Sequence, residues 1–355
     1  MPSKPLQIVY VGPLWTGGTC LHRMTALQSL GHGVSGVNTE PDSVRFAKKH
    51  YLRRMKGKLF RMGLNCAWAE DLAGANKEIL EHFRQRSDWD VLWLDKGLTI
   101  EPSTLAAVRQ LSPRCVIAGY SPDDMFARHN QSTQFLNHLH LYDIFFTTKS
   151  YGVRELGLLG CKKVEFIGNA FDPDVHKPMP IQNGGRAKFG GPAGFIGQWE
   201  AQRDISIRRL AESGINVRVW GLSWEKSKSR HVNLILEKRP LWGGDYARAI
   251  CSFDVNLVFL RKTNRDLQTT RSVEIPACGA FMLAERTDEH LALFEEGKEA
   301  EFFSSDEELA DKANYYLSHP QQREKIAAAG RERCLKSGYS NQDRMREAIS
   351  RIKAL

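Results

Sequence analysis

Apolar positions along the chain fall into two alternating rhythms. Short β-branched and aromatic runs at residues 8–11, 34–37, 91–94, 116–120, 144–147 and 163–167 predict strands, and amphipathic stretches at 21–30, 72–86 and 105–111 predict helices between them. Strands separated by helical patterns predict βαβ units around a parallel sheet. The rhythm breaks at FDPDVHKPMPIQNGGRAKFGGP, residues 171–192, where Pro and Gly oppose regular pairing and a linker is expected. A second series follows, with strands at 194–196, 217–220, 255–259 and 281–284, helices near 206–213 and 246–252, and tail helices at 307–317, 321–336 and 341–352. The pattern predicts an α/β protein of two doubly wound domains with a cleft between them, the first over 1–170 and the second over 193–335. Such sheets take ligands at the carboxyl ends of their strands.

The length of 355 residues suits two separate cores. With 42% hydrophobic and 26% charged residues and no repeat or biased segment, the composition excludes fibre, solenoid and disordered classes. The opening MPSKPLQIVYVG holds an apolar run too short for a signal-peptide core, and no stretch has the apolar length of a membrane span, so a cytoplasmic protein is expected. Its 7 cysteines are scattered, with no C-x-x-C pair or zinc-ligand spacing, as expected of reduced thiols without structural metal. A net charge of +9 points to an anionic partner, and its sign does not choose among nucleotide, nucleic acid and membrane surface. Part of that charge sits in VRFAKKHYLRRMKGKLFRMG. There Lys48, Lys49, Arg53, Arg54, Lys56, Lys58 and Arg61 interleave with apolar residues, which fits either an anionic surface contact or a solvated face.

Four motifs carry candidate chemistry. In VGPLWTGGTCLHRM a strand runs into Gly17-Gly18 before a helix; these glycines either let backbone amides approach an anion or make a tight strand-to-helix turn. In AGYSPDDMFARHN a strand end delivers Asp123, Asp124 and His129, where a carboxylate acts on a hydroxyl or caps the following helix. In FIGQWEAQRDISIRRL, Arg203 follows a strand end, placed for a phosphate or left solvated. In RDLQTTRSVEIPACG, Arg271 lies between Asp266 and Glu274. Pro276 argues for a short helix, capped from Thr269 or Thr270 and stopped at Gly279. Glu274 there either grips vicinal hydroxyls or is a helix-surface acid.

Taken in order, these elements resemble the GT-B glycosyltransferases. The match is to the large retaining family, glycosyl transferases group 1, whose C-terminal domain carries Glu-x7-Glu, and to its spore-maturation-type relatives. GGTCLHRMTALQSLGHGV is similar to that family's glycine loop and first helix, IGNAFDPDVHKP to its hinge motif, VEIPACGAFMLAERT to its second-glutamate segment, and SSDEELADKANYYLSHPQQREKIAAAG to its C-terminal helices. The resemblance implies two Rossmann-like domains facing each other across a cleft. The first is on the acceptor side, the second binds a nucleotide sugar, and residues 336–355 form a helix crossing back to the first. It places Glu274 on the second glutamate, at the donor ribose, and Asp266 on the first, one methylene shorter, at the sugar and phosphate. Arg203 falls on the basic pyrophosphate residue, and Asp123 or Asp124 near an acidic or histidine position. The implied activity is sugar transfer from a nucleoside-diphosphate sugar to an acceptor hydroxyl in polysaccharide, glycolipid or glycoconjugate synthesis. Retention of anomeric configuration is expected, with no cofactor. Because the single D-x-D, Asp172-Pro173-Asp174, lies in the hinge, Arg203, Arg271 and the Gly17-Gly18 amides are expected to replace a metal. The alternative is a nucleotide-sugar-binding module that has lost catalysis, for which Asp266 is the hint. A nucleic-acid partner is not expected, since recognised aromatic-basic modules are missing.

Overall fold

All six strands read from the first rhythm form, as β1 (Gln7–Gly12), β2 (Gly33–Asn38), β3 (Val91–Asp95), β4 (Val116–Ser121), β5 (Ile144–Thr147) and β6 (Val164–Phe166). The computed structural model describes residues 4–45, 69–181 and 184–355. It divides the chain into two units, 1–168 with 341–355 and 169–340. The basic run from Lys48 to Arg61 lies outside the described residues.

In the first unit the strands pair in parallel in the order β2-β1-β3-β4-β5-β6, with Ile8 opposite Val34 on one side and Val91 on the other. Alternate residues of each strand enter different cores. Ile8, Tyr10, Trp93 and Phe146 face helices Thr19–Ser29 and Asn341–Lys353, the latter contributing Met345, Ala348, Ile349 and Ile352. Val9, Val11, Leu92 and Leu94 face Ile79 and Phe83 of Ala75–Gln85, Leu105 and Val108 of Pro102–Leu111, and Phe135 of Thr133–His138. Burial on both faces is why these strands read as continuous apolar runs rather than alternating ones. Tyr10, Trp93 and Phe146 stack across the sheet with centroids 6.0 and 5.6 Å apart.

The second unit repeats the plan with β7 (Gly191–Ile196), β8 (Val217–Trp220), β9 (Leu234–Leu236), β10 (Phe253–Val258), β11 (Met282–Glu285) and β12 (Glu301–Phe303), in the order β12-β11-β10-β7-β8-β9. The three-residue strands β9 and β12 lie on the two edges of the sheet, and the sequence reading misses both. Helices Ala201–Glu212, Asp306–Ser318 and Pro320–Lys336 cover one face, and Gly243–Ser252 and Arg271–Ala277 the other.

Of residues 171–192, expected as a linker, the described ones pack onto this second unit, and the last two already open β7. Phe171 is 2% exposed against Val273 and Ala277 and bridges to Ser340, while Gly185–Phe189 is helical and docks Phe189 beside Trp220. Pro and Gly suppress strand pairing there, and the aromatic anchors still bury. No helix among the described residues is long and apolar enough to cross a membrane.

Candidate functional site

In the second unit the chain winds outward from β7 through β8 and β9 and then returns to start β10 on the other side of β7. The β7/β10 junction is therefore the point where the winding direction reverses, the place where open α/β sheets leave a crevice. Arg203, on the first turn of Ala201–Glu212, spans it. Its Nη1 donates to the Gln198 carbonyl just past β7 and its Nη2 to the Phe259 carbonyl just past β10, both at 2.9 Å. Its Nε is buried and has no hydrogen-bond partner among the described residues.

Arg271 opens helix Arg271–Ala277, which follows β10 in the chain. Its Nε is likewise buried without a partner, and its side chain makes no hydrogen bond or ion pair among the described residues. Both guanidinium groups lie over the Phe195 ring, at 5.4 and 6.0 Å from its centroid. Burial, and then the neighbouring Arg271 charge, push the Arg203 pKa down to about 10. Two cations brought together in a partly dry crevice, the second at the positive end of a helix, are costly without an anion between them.

Glu274 lies one turn further along the same helix and is 5% exposed, which excludes the helix-surface reading. Its Oε2 accepts a 2.6 Å hydrogen bond from the Tyr246 hydroxyl, and its Oε1 stands 3.8 Å from Nε2 of His176. Burial first, and then the Glu274 charge, raise the Tyr246 pKa well above its ordinary value, so the phenol stays a donor. The helix ends as the sequence predicts. Gly279, with φ of 69°, donates to the Pro276 carbonyl and Ala280 donates to that of Ile275, the paired bonds of a Schellman stop. Asp266 lies outside the helix, in the loop after Arg265, which takes a left-handed φ of 45°. It is buried, accepts from Asn264 at 2.7 Å, and is close enough to act on the Arg203 charge. Arg203, Arg271, Asp266 and Glu274 thus gather in this unit. Asp172, of the D-x-D, is spent on a local turn, accepting from the Asp174 amide while its own amide donates to Nδ1 of His176.

The first unit has its own reversal point, at β1/β3. Gly17 takes φ of 83° in the turn after β1, which favours glycine there, and a Cβ on Gly18 would crowd the Trp15 ring at 3.0 Å. Beside it lies a cluster the sequence reading missed. Oδ2 of Asp95, at the end of β3, accepts from the Tyr10 hydroxyl and from Nε and Nη2 of Arg23 at 2.8, 2.8 and 2.6 Å. The Arg23 guanidinium lies 4.2 Å from the centroid of Tyr120. Burial alone would lower the Arg23 pKa, and Asp95 reverses this and holds it well above its ordinary value. The next residue, Lys96, has φ of 68° and pairs with Asp123 at 2.5 Å. Asp124 accepts from the amides of Phe126 and Ala127 in a local turn, and the short helix that follows has Ala127 at its N-cap with no side-chain cap, so neither aspartate caps it as the sequence allowed. His129 lies in the short helix Arg128–Asn130 of the same loop. The four non-glycine left-handed residues among those described, Lys96, Ser223, Lys238 and Arg265, all lie on loops leaving the carboxyl ends of strands.

A family model described as glycosyl transferase-like matches residues 203–350, from Arg203 through Glu274 and beyond, less than half of the chain. No curated protein matches the sequence. Among solved structures, the chain resembles Anabaena HepE in complex with UDP, with a TM-score of 0.62 and 13% identity over 99% of this chain and 100% of that one. It also resembles sucrose-phosphate synthase from Thermosynechococcus elongatus, with a TM-score of 0.66 and 11% identity over 98% and 99% of the two chains. α,α-Trehalose 6-phosphate synthase from Burkholderia multivorans gives 0.62 and 11% over 99% of both. Further HepE structures contain UDP with glucose, or UDP-glucose. The fold is the GT-B fold of glycosyltransferases.

Proposed function

We propose that this chain is a glycosyltransferase that takes a sugar from a nucleoside diphosphate and transfers it to an acceptor hydroxyl, with UDP-glucose as the first donor to test. The observation that carries this is the pairing of Arg203 with Arg271 at the β7/β10 reversal. These are two cations with buried, unpartnered Nε groups, beside a buried carboxylate. A diphosphate fills the gap between like charges, and Glu274 takes a ribose hydroxyl. As the glycosidic bond breaks, the departing diphosphate gains negative charge. Donors already aimed at it stabilise that charge more than they stabilise the bound ground state. Asp266 belongs at the sugar end, and a retaining outcome accompanies the resemblance to the Glu-x7-Glu family. On the acceptor side, Asp123, paired with Lys96, is the carboxylate assigned to the acceptor hydroxyl, while Asp124 accepts from its own turn. The acceptor is a saccharide, lipid-linked or small-molecule hydroxyl in a cytoplasmic glycoconjugate pathway, where contact of the Lys48–Arg61 run with an anionic bilayer is part of the same reading.

Glu274→Ala is expected to remove charge-assisted bonds worth about 1.5–3 kcal/mol, a roughly ten- to hundred-fold loss of UDP affinity with the fold retained. Titration calorimetry checks this, and unchanged affinity in a folded variant refutes the donor assignment. Transfer is expected to persist in excess chelator, because guanidinium groups carry the metal's role. Activity lost in chelator and regained with magnesium or manganese contradicts that part. Tight UDP-glucose binding with neither hydrolysis nor transfer to any acceptor returns the chain to the binding-module reading.

A further inference from the structure

Glu274 has one oxygen already engaged. Oε2 accepts from Tyr246 on helix Gly243–Ser252, and Oε1 accepts no hydrogen bond among the described residues. The surroundings fix this arrangement. The Tyr246 ring meets the His176 ring edge-on at 5.7 Å, and the Asp172 amide donates to Nδ1 of His176, which puts the ring hydrogen on Nε2, turned toward Oε1. Oε2 is thus held from helix Gly243–Ser252, and rotation of the buried carboxylate about its last torsion would break the 2.6 Å bond to Tyr246.

We propose that Tyr246 is a positioning and specificity-determining residue: by holding Oε2 it presents Oε1 as a single oriented acceptor for one sugar hydroxyl of the nucleotide, and so makes the site discriminate ribose from deoxyribose. This rests on the donor assignment of Glu274 and replaces a two-oxygen grip on vicinal hydroxyls with a one-oxygen reading of a single hydroxyl. A site built to pair with a hydroxyl rejects the analogue lacking it, because its own acceptor is left unmatched. A carboxylate free to turn can drop that oxygen toward solvent or another donor and loses the penalty.

The test is calorimetric affinity for UDP, 2′-deoxy-UDP and 3′-deoxy-UDP in the parent, Tyr246→Phe, Glu274→Ala and the double variant, with thermal denaturation as the check on folding. The parent is expected to prefer UDP over one of the two deoxy counterparts by roughly ten- to hundred-fold and over the other far less. Tyr246→Phe should cut that preference by at least about fivefold, and should change nothing further in the Glu274→Ala background. A parent with no preference for UDP over either counterpart defeats the donor assignment itself. A parent that prefers UDP, with a folded Tyr246→Phe protein whose preference stays within about twofold of it, overturns the role given to Tyr246 and leaves the donor assignment standing. Equal loss with both counterparts restores the two-oxygen grip and likewise overturns it. If Tyr246→Phe fails to fold, the two deoxy counterparts on the parent still decide between one-oxygen and two-oxygen reading.

Discussion

Replacing Asp95 by alanine is expected to cost about 3–5 kcal/mol of stability, the cost of leaving a buried cation unpaired. Arg23 is 4% exposed and directs Nε and Nη2 at Asp95, and the Tyr10 hydroxyl turns to the same oxygen. Alanine leaves the Tyr10 hydroxyl and Arg23 Nε without an acceptor, and Nη2 with only the Cys20 sulfur, in a buried layer of stacked aromatics. Against a typical folding stability of about 5–15 kcal/mol this is a large fraction. Chemical denaturation should show a lower midpoint for the first unit. Arg23→Met combined with Asp95→Leu is expected to recover most of the loss, because removing both charges also removes their desolvation cost. A midpoint unchanged in Asp95→Ala would show that the pair does not anchor helix Thr19–Ser29 to the sheet.

The second large effect concerns Arg271. Truncation to alanine is expected to lower turnover by about 10²–10³, the range seen when a transition-state charge donor is removed. The fold should tolerate it, since no described protein group accepts a hydrogen bond from that guanidinium. Lysine should restore little of the lost rate, having neither the planar fork nor its geometry. Arg203→Ala differs, because it also strips the Gln198 and Phe259 carbonyls of their donor, so lost stability accompanies lost rate. The pH dependence follows from the depressed Arg203 pKa. Its folded value of about 10 lies below the unfolded one, so the charge opposes folding at neutral pH, and that penalty starts to lift as pH rises through about 10 and is gone only above the unfolded value. A bound diphosphate reverses the balance by favouring the charged form. UDP affinity is therefore expected to fall as pH rises through the same range, and UDP should protect the protein most below it.

The doubly wound plan was legible because each inner strand is buried on both faces, which leaves an uninterrupted apolar run such as Ile8 to Val11 or Val91 to Leu94. The short edge strands β9 and β12, not buried on both sides by neighbouring strands, were missed. Local chemistry was legible where its partners are close in sequence, as in the Gly279 stop. Groups that act across the fold were not. Tyr246 meets Glu274 across 28 residues and Arg23 meets Asp95 across 72, and neither spacing has any periodic signature. Spacing also misleads in one place. Asp266 and Glu274 are separated by seven residues, which suggests one helical face, yet the helix begins only at Arg271 and Asp266 reaches the site from a loop through the left-handed Arg265.

Calorimetric titration with UDP and with uridine, on the parent and on Arg271→Ala, addresses the diphosphate role of the arginine pair without needing the acceptor. If Arg203 and Arg271 hold the diphosphate, the parent binds UDP at least about tenfold more tightly than uridine, and most of that difference disappears in Arg271→Ala. Equal affinity for UDP and uridine in the parent, or a UDP advantage that survives intact in Arg271→Ala, contradicts it.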